Sequence, residues 1–394
     1  MIIALMMLLF VEGVSRVAVT VRNDLRSNPE EWFVYSKDLG WDRRPGYSGP
    51  VGGYVRSFDD DGFFTVDSAD VSSAQAKVLF LGDSNTFGFG AATSDAYPES
   101  VEDLLPGIGS INLGVVGATS YQGLNSLKRH LPELQPALVS VSYNFNDRRY
   151  VLDPADADSP EAFERTWDAS KSFDAFASRI LKVCYACRLM RGVMIGIGVL
   201  SEETQAPLVR DLSTLVPRVD EAHYRSNLVA MAEDARAADI PIVFILLRDN
   251  PAETEYLNAG IDLLEQGRND EAVSKLETAV YLDNMFSYLA RIYLSRAYSA
   301  QGRATDARDV LMVEVERDMT GGRPVRLDRD YNRIMMEVAA EHGVRIVDGA
   351  AVVETHPGDF VDFCHFNASG HHRLAERVAD EIAGALRIQV SDID

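Results

Sequence analysis

Three cysteines in 394 residues are too few for a disulfide framework. Two of them, Cys184 and Cys187, form a CxxC pair, but no second CxxC and no HxxxH stands at zinc-finger spacing, and no thioredoxin-like pattern surrounds it. The neighbouring Phe176, Ile180, Val183 and Leu189 make an apolar helix stripe, in which small cysteines pack as hydrophobes. Basic residues are also scarce. Lys and Arg number 38 against 60 Asp and Glu, giving a formal net charge of -22. That balance excludes a protein that wraps nucleic acid, because phosphate contacts need clustered cations. It also disfavours broad adsorption to anionic lipid headgroups. Low-complexity tracts are missing, and with 46% apolar and 25% charged residues the chain reads as globular.

The N-terminus lacks a basic leader and an A-x-A cleavage site, so a cleaved signal peptide fits poorly. Instead Met1–Val11 is uninterrupted apolar sequence, and the apolar character runs to Val21, broken by Glu12, Gly13, Ser15, Arg16 and Thr20. A bilayer needs ~20 such residues. Glu12 and Arg16 stand four apart and can pair on one helix face. Residues 1–21 are therefore expected to be an uncleaved membrane anchor, the other reading being a core or interface helix.

Residues 22–76 are rich in turn formers and aromatics, as in Asp38-Leu39-Gly40-Trp41, Gly52-Gly53 and Asp59-Asp60-Asp61-Gly62-Phe63. They read as an extended strap with room for one hairpin, lying against the domain that begins at Lys77. From Lys77 onward short apolar runs alternate with amphipathic stretches, which implies a parallel sheet with covering helices. Strands are expected at Lys77–Leu81, Ser110–Leu113, Ala137–Tyr143, Ile240–Leu247 and Val344–Val347. Helices are expected near Tyr97–Leu105, Tyr121–Leu131, Ala162–Met190, Asp220–Ala238, Asp328–His342 and Ser369–Leu386. Five such strands make a flavodoxin-like three-layer α/β/α sandwich with a parallel five-stranded sheet.

Residues 252–318 break that rhythm, being helical in pattern throughout. The phrases Glu265-Gln266-Gly267-Arg268-Asn269-Asp270-Glu271-Ala272 and Ala300-Gln301-Gly302-Arg303-Ala304-Thr305-Asp306-Ala307 recur 35 residues apart. The first copy resembles a tetratricopeptide (TPR) repeat at Gly260, Leu263, Gly267, Ala272, Leu276 and Ala279, with Asn284 in place of the usual proline. The second keeps Tyr298, Gly302 and Ala307 but has Ser295 where the early glycine would stand. Two helical hairpins fall below the ~3 repeats needed for independent stability, so the unit should pack on its host or on a partner.

The chemistry-bearing residues cluster at expected strand ends. The strand Val78-Leu79-Phe80-Leu81 stops abruptly in Gly82-Asp83-Ser84, exposing a serine where α/β sheets bind ligands. A serine hydroxyl needs a base. Asp362 and His365, three apart after the last strand, can present one imidazole nitrogen to the carboxylate and the other to Ser84. The nearby His371 and His372 read as surface or packing residues. Ester chemistry also needs donors for an oxyanion. Gly117 beyond the second strand offers an unobstructed backbone N–H, and Asn146 beyond the third offers an amide. No His/carboxylate spacing elsewhere suggests a metal, and no cofactor is expected.

This ordered set resembles the SGNH/GDSL hydrolase family, over roughly residues 38–250 and 325–388. The resemblance implies Ser84 as nucleophile, Asp362 and His365 as its partners, and an oxyanion hole from the Ser84 N–H, the Gly117 N–H and the Asn146 amide. Asn85 stands where the family name has leucine, and Asn144 where the third motif usually has glycine, which bears on the backbone shape beside Asn146. Leu39-Gly40-Trp41 resembles the leading segment of membrane-anchored bacterial members. The expected organisation is an anchor (1–21), a strap (22–76), a hydrolase domain in two parts (77–250 and 319–394) and a TPR-like insertion (251–318). The expected activity is acyl-ester hydrolysis, by resemblance on O-acetyl groups of cell-envelope carbohydrate, with the ectodomain periplasmic or extracellular. An O-acetyltransferase would use the same residues, and an idle scaffold acting through the TPR-like unit is the reading from a different class.

Overall fold

The computed structural model describes residues 29–65, 74–151, 155, 157–171, 216–281, 287–312, 328–354 and 356–387. Residues 1–21, the Cys184/Cys187 pair and most of the helix expected over Ala162–Met190 lie outside them. Among the described residues no helix is long and apolar enough to cross a membrane.

Five parallel strands form the central sheet: β1 (Ala76–Gly82), β2 (Ile108–Asn112), β3 (Leu138–Ser142), β4 (Ile242–Leu246) and β5 (Arg345–Asp348). Their spatial order is β2-β1-β3-β4-β5, the flavodoxin-like order, which reverses direction between β1 and β3. Side chains of β1 from Val78 to Leu81 are wholly buried on both faces, which is why the sequence runs apolar without alternation. The principal helices are, in chain order, α1 (Ser84–Phe87), α2 (Tyr97–Leu104), α3 (Ser120–Leu134), α4 (Glu221–Ala237), α5 (Pro251–Glu265), α6 (Asn269–Tyr281), α7 (Ser287–Ala300), α8 (Ala304–Leu311), α9 (Asp328–His342) and α10 (Ala368–Leu386). On one face Tyr97 and Val101 of α2 pack with Leu374, Val378 and Ile382 of α10. On the other, Leu127 of α3, Leu228 and Met231 of α4 and Ile334 and Met335 of α9 cover the sheet. The result is the three-layer α/β/α sandwich expected from the pattern.

The strap holds two hairpins where one was expected, Phe33–Ser36 with Gly40–Arg43 and Ser48–Val51 with Tyr54–Ser57. The second turns on Gly52 and Gly53 at φ +62° and +87°, the left-handed pair that a two-residue hairpin loop requires. The first closes on Gly40 at φ +69°, after a three-residue loop. Trp32, Val51, Phe58 and Phe64 of the strap gather on Phe87 of α1. Buried Arg56 donates from Nη2 to the carbonyls of Gly88 and Ala91, each at 2.7 Å, and so ties the second hairpin to the turn after α1.

Between β4 and β5 the chain makes α5–α8, with a core of its own around Leu257, Ile261, Leu276, Leu294 and Tyr298. The repeated phrases form equivalent turns. Gly267 and Gly302 sit at φ +73° and +75°, and the arginine after each glycine pairs with an acid three residues on, Arg268 with Glu271 and Arg303 with Asp306. A Cβ at Gly260 would come 2.6 Å from Leu276, which shows how closely α5 crosses α6. The same core takes in Phe145 and Cys364, the neighbours of Asn146 and His365.

His371 on α10 is wholly buried, stacked on Tyr97 (6.3 Å between ring centroids) and edge-on to Phe366 (5.7 Å), whereas His372 is exposed. Burial, helped by the charge of Arg56, lowers the His371 pKa to about 3. An unfolded histidine titrates near 6.5. Between those values the unfolded chain therefore binds the extra proton, and stability falls as pH falls. His371→Phe keeps the stacking and removes that proton site. In urea melts the wild type should lose on the order of 3 kcal/mol more than the variant between about pH 7 and pH 4. Parallel curves for the two proteins would contradict the assignment.

Candidate active site

β1 ends at Gly82, where a Cβ would come 1.8 Å from Thr86 Oγ1 and 2.9 Å from the Ser142 carbonyl. Glycine is thus required for the strand to turn at once into α1. Asp83 caps that one-turn helix, its Oδ1 accepting from the Asn85 N–H at 2.9 Å. Ser84 is the first helical residue, so its own N–H has no intrahelical acceptor. It is 5% exposed.

The loop between β5 and α10 brings Asp362 and His365 to this serine. Asp362 Oδ1 accepts the backbone N–H groups of Cys364 and His365, both at 2.9 Å, which folds the three-residue spacing into a tight turn. Its Oδ2 lies 2.7 Å from His365 Nδ1, and His365 Nε2 lies 2.8 Å from Ser84 Oγ. Burial acts to raise the Asp362 carboxyl. The hydrogen bond and charge of His365, with the two backbone N–H groups, outweigh it and hold the carboxyl below its ordinary value. Asp362 therefore stays ionised, which fixes Nδ1 as the protonated nitrogen and leaves Nε2 to accept from Ser84. Phe89 packs against the imidazole at 4.7 Å between ring centroids.

Gly117 and Asn146 sit at the neighbouring strand ends. Gly117 has φ +79°, and among the described residues its N–H has no protein acceptor. Asn146 is buried, and its Nδ2 donates to Asp83 Oδ2 at 3.2 Å; the amide carries a second hydrogen for another acceptor. Burial raises the Asp83 pKa to about 6 against the pull of Asn85, His365, Arg148 and Asn146. Asp147 accepts the Ser120 N–H at the start of α3 (2.8 Å), locking the end of β3 to the loop that carries Gly117. Burial raises its pKa to about 7. The structure thus gathers Ser84, Gly117, Asn146, Asp362 and His365 where the sheet order reverses, beyond the carboxyl ends of β1, β2, β3 and β5.

Residues 80–373 match the GDSL-like lipase/acylhydrolase family. The chain belongs to that family. It is a serine esterase by that membership. No curated protein matches the sequence significantly. Among solved structures the hydrolase is similar to a lipase/acylhydrolase from Enterococcus faecalis, with 14% identity, 81% of this chain and 100% of that chain covered, and a TM-score of 0.39. It is also similar to a catalytic mutant of an acetylxylan esterase from Geobacillus stearothermophilus, with 14% identity, 79% and 95% coverage, and a TM-score of 0.35.

Asn144 differs from its sequence reading. Its φ is not positive, so the position does not demand the left-handed conformation that favours glycine. Its amide instead donates to Asn332 Oδ1 on α9 at 2.7 Å and to the Leu247 carbonyl at 3.4 Å, cross-linking the end of β3 to its neighbours. Asn144 is thereby tied to the scaffold, whereas Asn146 bonds Asp83 beside Ser84. Asn146→Ala in this hydrolase should lower kcat by about 10²–10³ with KM little changed, the signature expected of a donor whose bond strengthens as charge develops. Steady-state kinetics on an aryl acetate checks this, and wild-type kcat in the variant would remove Asn146 from the site.

Two residues that brace the site were given no role by the sequence reading. Asn85 donates to the Cys364 carbonyl (3.1 Å) and accepts from the Phe366 N–H (3.4 Å), clamping α1 to the loop of His365. Asn250, the cap of α5, donates its backbone N–H to the Phe363 carbonyl (2.8 Å) and its amide to the Asp362 carbonyl (3.1 Å). Nothing local marked either, since the carbonyls they bond lie 279 and 112 residues further along the chain. Asp362, Cys364 and His365 also bring potential metal-ligand atoms within 4.8 Å of one another. The carboxylate and imidazole of that set are already bonded to each other and to Ser84.

Proposed function

We propose that this hydrolase cleaves short acyl esters through a Ser84 acyl-enzyme, with His365 as general base and Asp362 holding its tautomer. The observation that carries the reading is the continuous hydrogen-bonded line from Asp362 through His365 to Ser84, at 2.7 and 2.8 Å. His365 takes the Ser84 proton as Oγ attacks the ester carbonyl, then returns it to the leaving alcohol. The oxyanion is held by the Ser84 and Gly117 N–H groups and the Asn146 amide. Water, activated by the same imidazole, releases the acyl group.

The preferred substrate is an O-acetyl group on cell-envelope carbohydrate. Three features support it: a nucleophile that is 5% exposed and so favours a small acyl group, a strap resembling that of membrane-anchored relatives, and the apolar run Met1–Val11. On this reading residues 1–21 anchor the protein and the catalytic domain faces the periplasm or exterior. The α5–α8 unit is read as TPR-like, and the resemblance of its repeated phrases to that family supports a role in contacting a protein partner. The test is acetate release from O-acetylated polysaccharide compared with turnover of aryl esters of increasing chain length. Acetyl should be preferred over octanoyl, and acetate should appear in solution. Transfer of the acetyl group to an added sugar, without free acetate, would make the protein a transferase instead.

A further inference from the structure

The strap reaches the loop that carries Gly117 through Trp41. Its indole Nε1 donates to the Val116 carbonyl at 2.9 Å. That carbonyl belongs to the same peptide unit as the Gly117 N–H. In a trans peptide the C=O and N–H point in opposite directions, so fixing one fixes the other. The next carbonyl along, that of Gly117 itself, accepts from Arg218 Nη1 at 2.7 Å. Arg218 is held in turn by a buried ion pair with Asp158 at 2.9 Å, and its guanidinium lies 5.2 Å from the Trp41 ring centroid. A Cβ on Gly117 would meet Trp41 Cζ2 at 3.4 Å, which places the indole against the glycine.

We propose that Trp41 is a positioning residue, which pins the Val116–Gly117 peptide so that the Gly117 N–H faces the developing oxyanion. A glycine at positive φ has wide freedom, and a peptide beside it can rotate unless both its neighbours are held. The indole also polarises the peptide it bonds, making its N–H a stronger donor. Trp41 touches neither Ser84 nor the ester, and it acts through Gly117 alone. Its role rests on the Ser84 acyl-enzyme reading.

The experiment compares full-length wild type and Trp41→Phe, which keeps an aromatic ring and removes the donor. With an aryl acetate, kcat should fall about tenfold while KM stays within about twofold. Affinity for a tetrahedral boronate should fall by the same factor as kcat, because the boronate reproduces the oxyanion. Unchanged kcat, or a loss carried by KM, overturns the proposal. Should Trp41→Phe fold poorly, the wild type labelled with ¹⁵N-tryptophan gives the answer: on phosphonylation of Ser84 the Trp41 indole N–H, bonded to the same peptide unit as the Gly117 N–H, should move downfield. An unmoved Trp41 indole signal in a phosphonylated protein likewise overturns the proposal. Wild-type turnover tests the acyl-enzyme and the ratio of variant to wild type tests Trp41, so the two claims fail separately.

Discussion

Ser84→Ala should lose ester turnover on the order of 10⁶-fold in kcat while its thermal midpoint stays near that of wild type. The hydroxyl makes the one side-chain bond that matters to the chemistry, to His365 Nε2 at 2.8 Å. Alanine leaves the fold of α1 alone, since that turn is set by the Asp83 cap and by Gly82 and Gly88. Its helix propensity is, if anything, better than that of serine. What disappears is the hydroxyl proposed as the nucleophile. Water held by the intact oxyanion donors then leaves a small residual rate. Kinetics and a thermal melt on the same preparation check both halves. Substantial turnover in a folded Ser84→Ala protein would place the nucleophile elsewhere.

Asp362→Asn should cost about 10⁴ in kcat, because it reverses the imidazole rather than dismantling the loop. The aspartate does two jobs with its two oxygens. Oδ1 receives the N–H groups of Cys364 and His365, and Oδ2 receives the proton on His365 Nδ1. Asparagine can keep its carbonyl oxygen on the two backbone donors, which preserves the turn. Its NH₂ then faces Nδ1 and forces the imidazole proton onto Nε2, where it opposes the Ser84 hydroxyl instead of accepting from it. The double variant Asp362→Asn, His365→Ala should be no worse than His365→Ala alone, since residues acting as one unit are not additive. Measured kcat values that multiply across the two changes would mean that Asp362 acts independently of the histidine.

Ser84 and Asn146 were legible because each comes after an apolar run that reads as a doubly buried strand. Ser84 comes after β1, Asn146 after β3, and the spacing of Asp362 from His365 is the spacing of the turn that Asp362 Oδ1 itself closes. Asn144 was misread because it stands where the family motif usually has glycine, which suggested a backbone role, while its partner Asn332 is 188 residues away. Asn85 was passed over for the same reason, since the carbonyl it binds lies 279 residues further on. Local pattern carries periodicity and turn chemistry, whereas a side chain that bonds a distant carbonyl leaves no periodic trace. The second hairpin of the strap was within reach, for Gly52-Gly53 is itself a hairpin signal. The first was hidden because Lys37-Asp38-Leu39 has no glycine until Gly40 closes its loop.

The polar line from Asp362 to Ser84 is the centre of the account, and one measurement addresses it without a substrate. The purified protein is reacted with a fluorophosphonate, which modifies an activated serine and requires both a base and an oxyanion site. The adduct is then located by peptide mass mapping. The account predicts a single label on Ser84, lost in His365→Ala although Ser84 is still present. A folded protein that takes no label, or takes it on another serine, would contradict it.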